Sequence, residues 1–353
     1  MPPPARLLRL VVLGAFAALA ISLLWNAARR PAVLVVHSQS ERIPWTRGID
    51  AGIDDVLHAQ SGVRLQRIHL NPRDTQRMAQ QVDDVHGFIA RWQPGALIAV
   101  DGLAQTAVGR HYAGHGRPYV VYSGIEDEER SLAQSLSANV SGIAERTPWP
   151  VVEDMLVKLV RSQRIAAGLP PAARSLRVAM INDNGAASAE EAQGFAAHRW
   201  TRATPMGVWR CATPDQWTQA LAHIAQRADV VLIGDYRAMP VPAGVLPAVW
   251  RRNLAAQALA QLHQPLMALS SYAVDDGIPL AVLPSPMEQG AVAAHQTLRA
   301  LHANMEPMAR HAHTVDFALV ANSQAMAARQ LSLGALDGYY ARLSSRVIGA
   351  GKW

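Results

Sequence analysis

Short apolar runs alternate with helix-like stretches along this chain, and no other feature limits its fold so strongly. The runs Val33–His37, Val63–Leu70, Ala96–Val100 and Tyr119–Tyr122 have strand length and strand composition. Between them lie helical patterns near 44–60, 74–92 and 103–113. In the first pattern Trp45, Ile49, Ile53, Val56 and Leu57 recur at the spacing of one helix face. Strands separated by single helices are joined by crossovers, which are right-handed and give a parallel sheet. The expected fold class is therefore α/β.

After a pause over 124–146, which holds the acidic run Glu126–Glu129, a second series begins. Thr147 is the expected N-cap of its first helix, with Pro148 at the first helical position. Val151, Val152, Met155, Leu156, Leu159 and Val160 mark the buried face of that helix. The Ala- and Pro-rich segment Ala166–Arg174 reads as a loop. Strands are expected at Arg177–Ile181, Gly207–Cys211, Val230–Ile233 and Leu266–Leu269, with helices near 189–199, 214–227 and 247–263. Ser285, Pro286 and Glu288 form a capping box with an added proline, starting a helix that runs to about Ala303. A strand near Thr314–Val320 and helices near 322–331 and 335–346 complete the pattern. Two α/β lobes of similar size fit the 353 residues.

The formal charge of +6 invites a nucleic-acid reading, but its distribution argues otherwise. Arg6, Arg9, Arg29 and Arg30 supply four of the six positive charges, which leaves +2 for the remainder. There is no long Lys/Arg run and no nucleic-acid module. Arg6 and Arg9 instead precede an uncharged, mostly apolar stretch, Leu10–Ala28, just long enough to span a bilayer as a helix. Residues 1–31 thus read as a signal anchor, or as a signal peptide cut after Ala18-Leu19-Ala20. The arginines keep the N-terminus in the cytoplasm and send the body across the membrane. The single cysteine, Cys211, excludes an internal disulfide, and its position excludes a lipid anchor.

No enzyme signature is present. The chain lacks a Gly-x-Ser-x-Gly elbow, a phosphate-cradling loop ending in Lys-Ser/Thr, and a His-Glu-x-x-His pair. His311 with His313, and His111 with His115, have metal-compatible spacing but no accompanying ligands in sequence, so they read as surface histidines. The acid pairs Asp54-Asp55, Asp83-Asp84 and Asp275-Asp276 do not face one another on a helix. His37 and Ser38, as strand neighbours, point to opposite faces and make a poor base and nucleophile. Neither a metal nor a cofactor is expected.

In doubly wound sheets ligands bind outside the carboxyl ends of the strands. Those ends read His37-Ser38-Gln39, Asp101-Gly102 and Ser123-Gly124 in the first lobe. In the second they read Asn182-Asp183-Asn184, Gly234-Asp235-Tyr236 and Ser270-Ser271-Tyr272. Such residues also punctuate ordinary βα turns. Trp45 shares the stripe of Ile49 and Ile53, so it is either core or ligand wall.

The segments "VLVVHSQSERIPWTRGIDAGI" and "LNPRDTQR", then "SANVSGIAERTPW", "RVAMINDN", "PSPMEQGAVAAHQTLRAL" and "VANSQAMAARQLSLG", follow in an order that resembles the ABC-transporter substrate-binding family. That family includes tryptophan/tyrosine-type binding components and related extracellular sensor domains. The likeness covers residues 32 to about 346. It implies a type I periplasmic-binding fold: two Rossmann-like lobes joined by three crossings and closing on a ligand by hinge motion. Lobe 1 would comprise 32–143 plus 284–306, and lobe 2 would comprise 144–283 plus 307–353, with helix 286–303 packing on the first lobe.

The implied protein is a non-enzymatic solute-binding component exported to the periplasmic side of the inner membrane. Its partners would be a small molecule, amino-acid-like among the candidates, and an ABC permease. The alternatives are a sensory subunit serving a membrane signalling protein and an α/β enzyme with an unrecognised site. The expected ligand residues are Ser38, Trp45, Asp101, Ser123, Asp183, Asp235 and Tyr272. Ser38 and Ser123 would donate hydrogen bonds, Trp45 and Tyr272 would form an apolar wall, and the aspartates would receive an amine.

Overall fold

The computed structural model describes residues 30–59, 62–72, 74–124, 137–170, 172, 174–302, 310–338 and 346–348, with 13–16, 18, 19 and 22. The described residues form two compact units. The first draws on Met1–Ser123, Ser131–Gly142 and Gly290–His311, and the second on Gly124–Arg130, Ile143–Gln289 and Ala312–Trp353.

The first sheet contains β1 (Ala32–His37), β2 (Arg64–His69), β3 (Ala96–Val100), β4 (Tyr119–Ser123), β5 (Val140–Ala144) and β11 (His311–His313). Its order is β11-β5-β4-β3-β1-β2, and β1 to β5 pair in parallel. The helices are α1 (Pro44–Ala59), α2 (Met78–Trp92) and α3, a continuous run from Asp101 to Tyr112 with a π-helical centre at Ala104–Gly109. All six residues of β1 are buried. Val33 and Val35 join the cluster of Ile49, Ile53, Val56 and Leu57, while Leu34 and Val36 join that of Val85, Ile89 and Val108. Period-two alternation thus feeds two faces of one sheet, each covered by helices, which is why Ala32–Val36 lacks polar residues and only the terminal His37 is polar.

The second sheet has seven strands: β6 (Leu176–Asp183), β7 (Ala203–Cys211), β8 (Val230–Ile233), β9 (Leu266–Ala268), β10 (Leu280–Pro284), β12 (Phe317–Asn322) and β13 (Arg346–Ile348). The order is β13-β12-β10-β9-β8-β6-β7, all parallel except the antiparallel β10–β12 pair. The second unit's helices are α4 (Trp149–Ala166), α5 (Ala186–Ala197), α6 (Pro214–Ala225), α7 (Pro247–Gln261), α8 (Ser271–Asp275) and α10 (Ser323–Ala328), while α9 (Pro286–Leu301) belongs to the first unit from Gly290 onward. Ala179 and Ile181 pack on the α6–α7 side, and Val178 and Met180 on the α4 side.

α9 contributes to the first unit's core. Ala293, Ala294 and Leu298 cluster with Ile49 and Ile53. Gly290 is required there, because a Cβ would sit 1.9 Å from the Ile49 carbonyl oxygen.

Several expected details differ. Thr147 is not the cap of α4; Pro148 holds that position, without a side-chain bond. Only half of the capping box forms. Ser285 Oγ accepts from the Glu288 N–H at 3.2 Å, but the Glu288 carboxylate reaches Val315 and Asp316 N–H groups instead. Strands β5 and β10 were hidden in sequence, β5 among Asn, Ser and Gly, and β10 between two prolines. The last expected helix, 335–346, is helical at 335–338, while Arg346 opens a strand. Among the described residues no helix is long and apolar enough to cross a membrane. Most of Leu10–Ala28, the expected span, and the run Glu126–Glu129 lie outside the described residues.

Candidate functional site

In the first sheet the strand order reverses direction between β1 and β3, and in the second between β6 and β8. Both have the 2-1-3-4-5 order, in which the crevice at the reversal point is the usual ligand position. Each unit carries a polar constellation there.

In the first unit Ser38 follows β1. It is 3% exposed, donates to the Val100 carbonyl at 2.9 Å and accepts from the Ala104 N–H at 2.8 Å. Its hydroxyl ties β1 to β3 and to α3 and is fully engaged within the fold. Asp101 opens α3 with φ of 63°, a left-handed conformation that costs a non-glycine residue energy. Trp45, at the start of α1, is half-buried against the Ile49 cluster, and its Nε1 donates to Asp101 Oδ1 at 3.2 Å. It is thus both core and hydrogen-bond partner of the Asp101 carboxylate. Ser123 is completely buried at the end of β4, where its carbonyl accepts from Gln105 Nε2 at 3.0 Å.

The first unit also holds a cluster that sequence reasoning missed. β1 and β2 both end in histidine, and parallel register pairs His37 with His69. Their rings stack at 4.7 Å with 7° between planes. Asp50 of α1 lies 3.1 Å from His37 Nε2 and accepts from Arg67 Nε at 2.7 Å, while Arg67 also reaches Asp54. Burial lowers the pKa of His37, outweighing its bond to Asp50. Burial would raise the Asp50 carboxyl, yet His37 and Arg67 hold it below its ordinary value. The pair is therefore a neutral imidazole donating from Nε2 to a carboxylate. The matching strand endings were the available signal.

In the second unit Asp183 ends β6 at 1% exposure. Its oxygens accept from Gly185 N–H at 2.8 Å, Ser188 Oγ at 2.5 Å and Ala238 N–H at 2.6 Å. It closes the turn into α5 rather than waiting for a ligand amine. Asp235, after β8, accepts from Arg237 Nε at 2.8 Å, from the Arg237 N–H at 2.7 Å and from Tyr272 OH at 2.8 Å. Burial pushes the Asp235 carboxyl up, and Arg237 and Tyr272 more than offset this, keeping it ionised.

Tyr272 is no open apolar wall, because the guanidinium carbons of Arg237 and Arg251 lie 5.1 and 5.2 Å from its ring centroid. Burial beside Asp235 pushes its phenol pKa far up. Tyr236 is 1% exposed and belongs to the core, its hydroxyl donating to Asp276 at 3.0 Å. Asp235 and Tyr272 are thus brought together directly, and Asp183 joins them through its N–H to the Asp235 carbonyl at 2.8 Å. Arg237 and Arg251, with no motif around them, were missed. His311 stands beside Tyr122, 2.9 Å from its hydroxyl, rather than in a metal cluster.

No protein-family model matches the chain, and no curated protein matches it. Solved structures do. An open, ligand-free substrate-binding protein with adhesive properties from Clostridium difficile aligns at TM-score 0.62 and 12% identity, over 91% of this chain and 100% of that one. An ABC domain in complex with L-Trp from Streptococcus pneumoniae aligns at TM-score 0.53 and 12% identity, over 90% and 100%. A sugar-binding protein of a sugar ABC transporter from Bacillus halodurans aligns at TM-score 0.53 and 9% identity, over 83% and 97%. The chain has the fold of these solute-binding proteins.

Proposed function

We propose that the protein is a non-enzymatic solute-binding component of an ABC-type uptake system, with a small polar molecule as ligand. One observation carries this reading. Both sheets reverse strand order beside a polar constellation, Trp45–Asp101 in the first unit and Asp235–Arg237–Tyr272 in the second. The likeness to solute-binding proteins over most of the chain supports it.

Within the first unit the candidate contacts are Trp45 and Asp101, and within the second they are Arg237 and the edge of Tyr272. Ser38, Ser123 and Asp183 are positioning groups, since each is buried and the first and last are satisfied internally. Asp101 suits an ammonium or hydroxyl, held by a backbone already strained toward its task. Arg237, 55% exposed, suits a carboxylate or other anion. Small molecules that carry an ammonium, hydroxyl or carboxylate group are therefore the first ligands to test. The basic-then-apolar start, Arg6 and Arg9 ahead of Leu10–Ala28, supports export to the periplasmic side of the inner membrane with an N-terminal anchor.

The test is a thermal-shift screen of the purified chain against amino acids, sugars and small metabolites, with mass spectrometry of any molecule released on denaturation. A true ligand at one hundred times its dissociation constant stabilises by about 2.7 kcal/mol. Asp101→Asn and Arg237→Gln should reduce that shift. Consumption of the stabilising compound would refute the binding-protein reading and favour an enzyme.

A further inference from the structure

We propose that His37, Asp50 and His69 form a binding site for one divalent transition-metal ion of the zinc type. The three residues come from β1, α1 and β2 of the same unit, and each offers one ligand atom within 4.8 Å of the others. Strand register explains the pairing, because residues opposite one another in a parallel pair project from the same face. Two imidazoles and one carboxylate suit zinc, nickel or cobalt rather than calcium or magnesium, which prefer all-oxygen shells.

The surroundings match what metal sites need beyond their ligands. His69 Nδ1 lies 2.9 Å from the Gln39 carbonyl, an acceptor that places the proton on Nδ1 and leaves Nε2 with its lone pair. Asp50 Oδ1 is held by Arg67, and no hydrogen bond from the described residues reaches Oδ2. His37 is completely buried, and among the described residues its Nδ1 has no hydrogen-bond partner. A buried, unsatisfied ring nitrogen costs stability, so it points to a ligand that would engage it or turn the ring.

Asp50 and Asp54 together with Arg67 leave one net negative charge at this corner, which favours a cation. Tetrahedral zinc with bonds of about 2.0–2.1 Å sets its ligand atoms roughly 3.3 Å apart. Closing the present spread takes side-chain rotations on the order of 1 Å. His69 and Asp50 are only half-buried and have room to make them. Three protein ligands leave a fourth position for water.

The test uses the full chain, stripped with a chelator and titrated with Zn²⁺ against a chromophoric competitor. One equivalent should bind with a dissociation constant of about 1 μM or tighter. His69→Gln and Asp50→Asn should each weaken it at least ~tenfold. Converting the exposed His111 and His115 to Gln should leave it unchanged. X-ray absorption of the Zn²⁺-loaded wild-type chain should show two imidazole nitrogens and a carboxylate oxygen, a readout that does not depend on any variant folding. Absence of a tight equivalent overturns the proposal. So does binding that survives both site variants, or a metal shell without two imidazoles.

Discussion

Glu153 offers a sharp test of how the second unit is held together. It lies on α4, is 3% exposed, and faces the turn between α5 and β7. Its carboxylate accepts from three successive backbone N–H groups, Thr201 at 2.7 Å, Arg202 at 2.5 Å and Ala203 at 3.2 Å. Thr201 Oγ1 at 3.3 Å and His198 Nε2 at 3.2 Å complete the shell. Glu153→Ala takes the acceptor from the buried Ala203 N–H and from the part-buried Thr201 and Arg202 N–H groups. Each such loss costs about 1–3 kcal/mol, and the losses are not additive. Water entering the vacated space recovers part, so the expected destabilisation is about 3–5 kcal/mol. Glu153→Gln keeps one acceptor oxygen and should lose about 1–2 kcal/mol.

Urea unfolding followed by tryptophan fluorescence measures this, with Trp149 and Trp200, which pack with Phe195 and His198 beside the carboxylate, among the reporting groups. The pH dependence adds a second readout. Burial alone would raise the Glu153 carboxyl, but the bonds from Arg202, Thr201, His198 and Ala203 hold it below its ordinary value of 4.5. A group lowered in this way contributes fully above its unfolded pKa, and the contribution is lost as pH falls through the folded value. The gap between wild type and Glu153→Gln should therefore be complete at neutral pH and narrow in acid below about 4.5. A destabilisation under ~1 kcal/mol for Glu153→Ala, or a gap that widens in acid, would refute the account.

Gly290→Ala should destabilise the first unit by roughly 2 kcal/mol or more, read by urea unfolding, because the new Cβ meets the Ile49 and Ile53 backbone rather than a movable side chain. Cys211 is 2% exposed, and burial followed by the Asp183 charge pushes its thiol up to about 11. It should resist thiol reagents at pH 8 in the native chain and react promptly once unfolded, as a spectrophotometric thiol assay would show. Tyr272→Phe removes the acceptor of the Tyr236 N–H, at 3.1 Å, and a donor to Asp235, so a loss of about 1–3 kcal/mol is expected by the same unfolding assay.

The parallel α/β architecture was legible because it rests on local periodicity. The runs at Val33–Val36, Ala96–Val100 and Val230–Ile233 are apolar throughout, as strands covered on both faces must be. The helix stripe from Trp45 to Leu57 was equally plain. Strand ends were legible too, because polar and turn-forming residues gather where a strand meets its crossover. What those ends do was not. Whether Ser38 offers its hydroxyl or consumes it depends on Val100 and Ala104, more than sixty residues away. Asp235 looked like an acceptor for a ligand amine until Arg237 and Tyr272 closed on it.

Long-range register decided the rest. His37 and His69 are separate endings in sequence, and only the β1–β2 pairing stacks them, with α1 bringing Asp50 to the same corner. Periodicity reports which face a residue occupies. It carries no information about which strand lies beside it, and metal ligands, ion pairs and buried hydrogen bonds all depend on that neighbour.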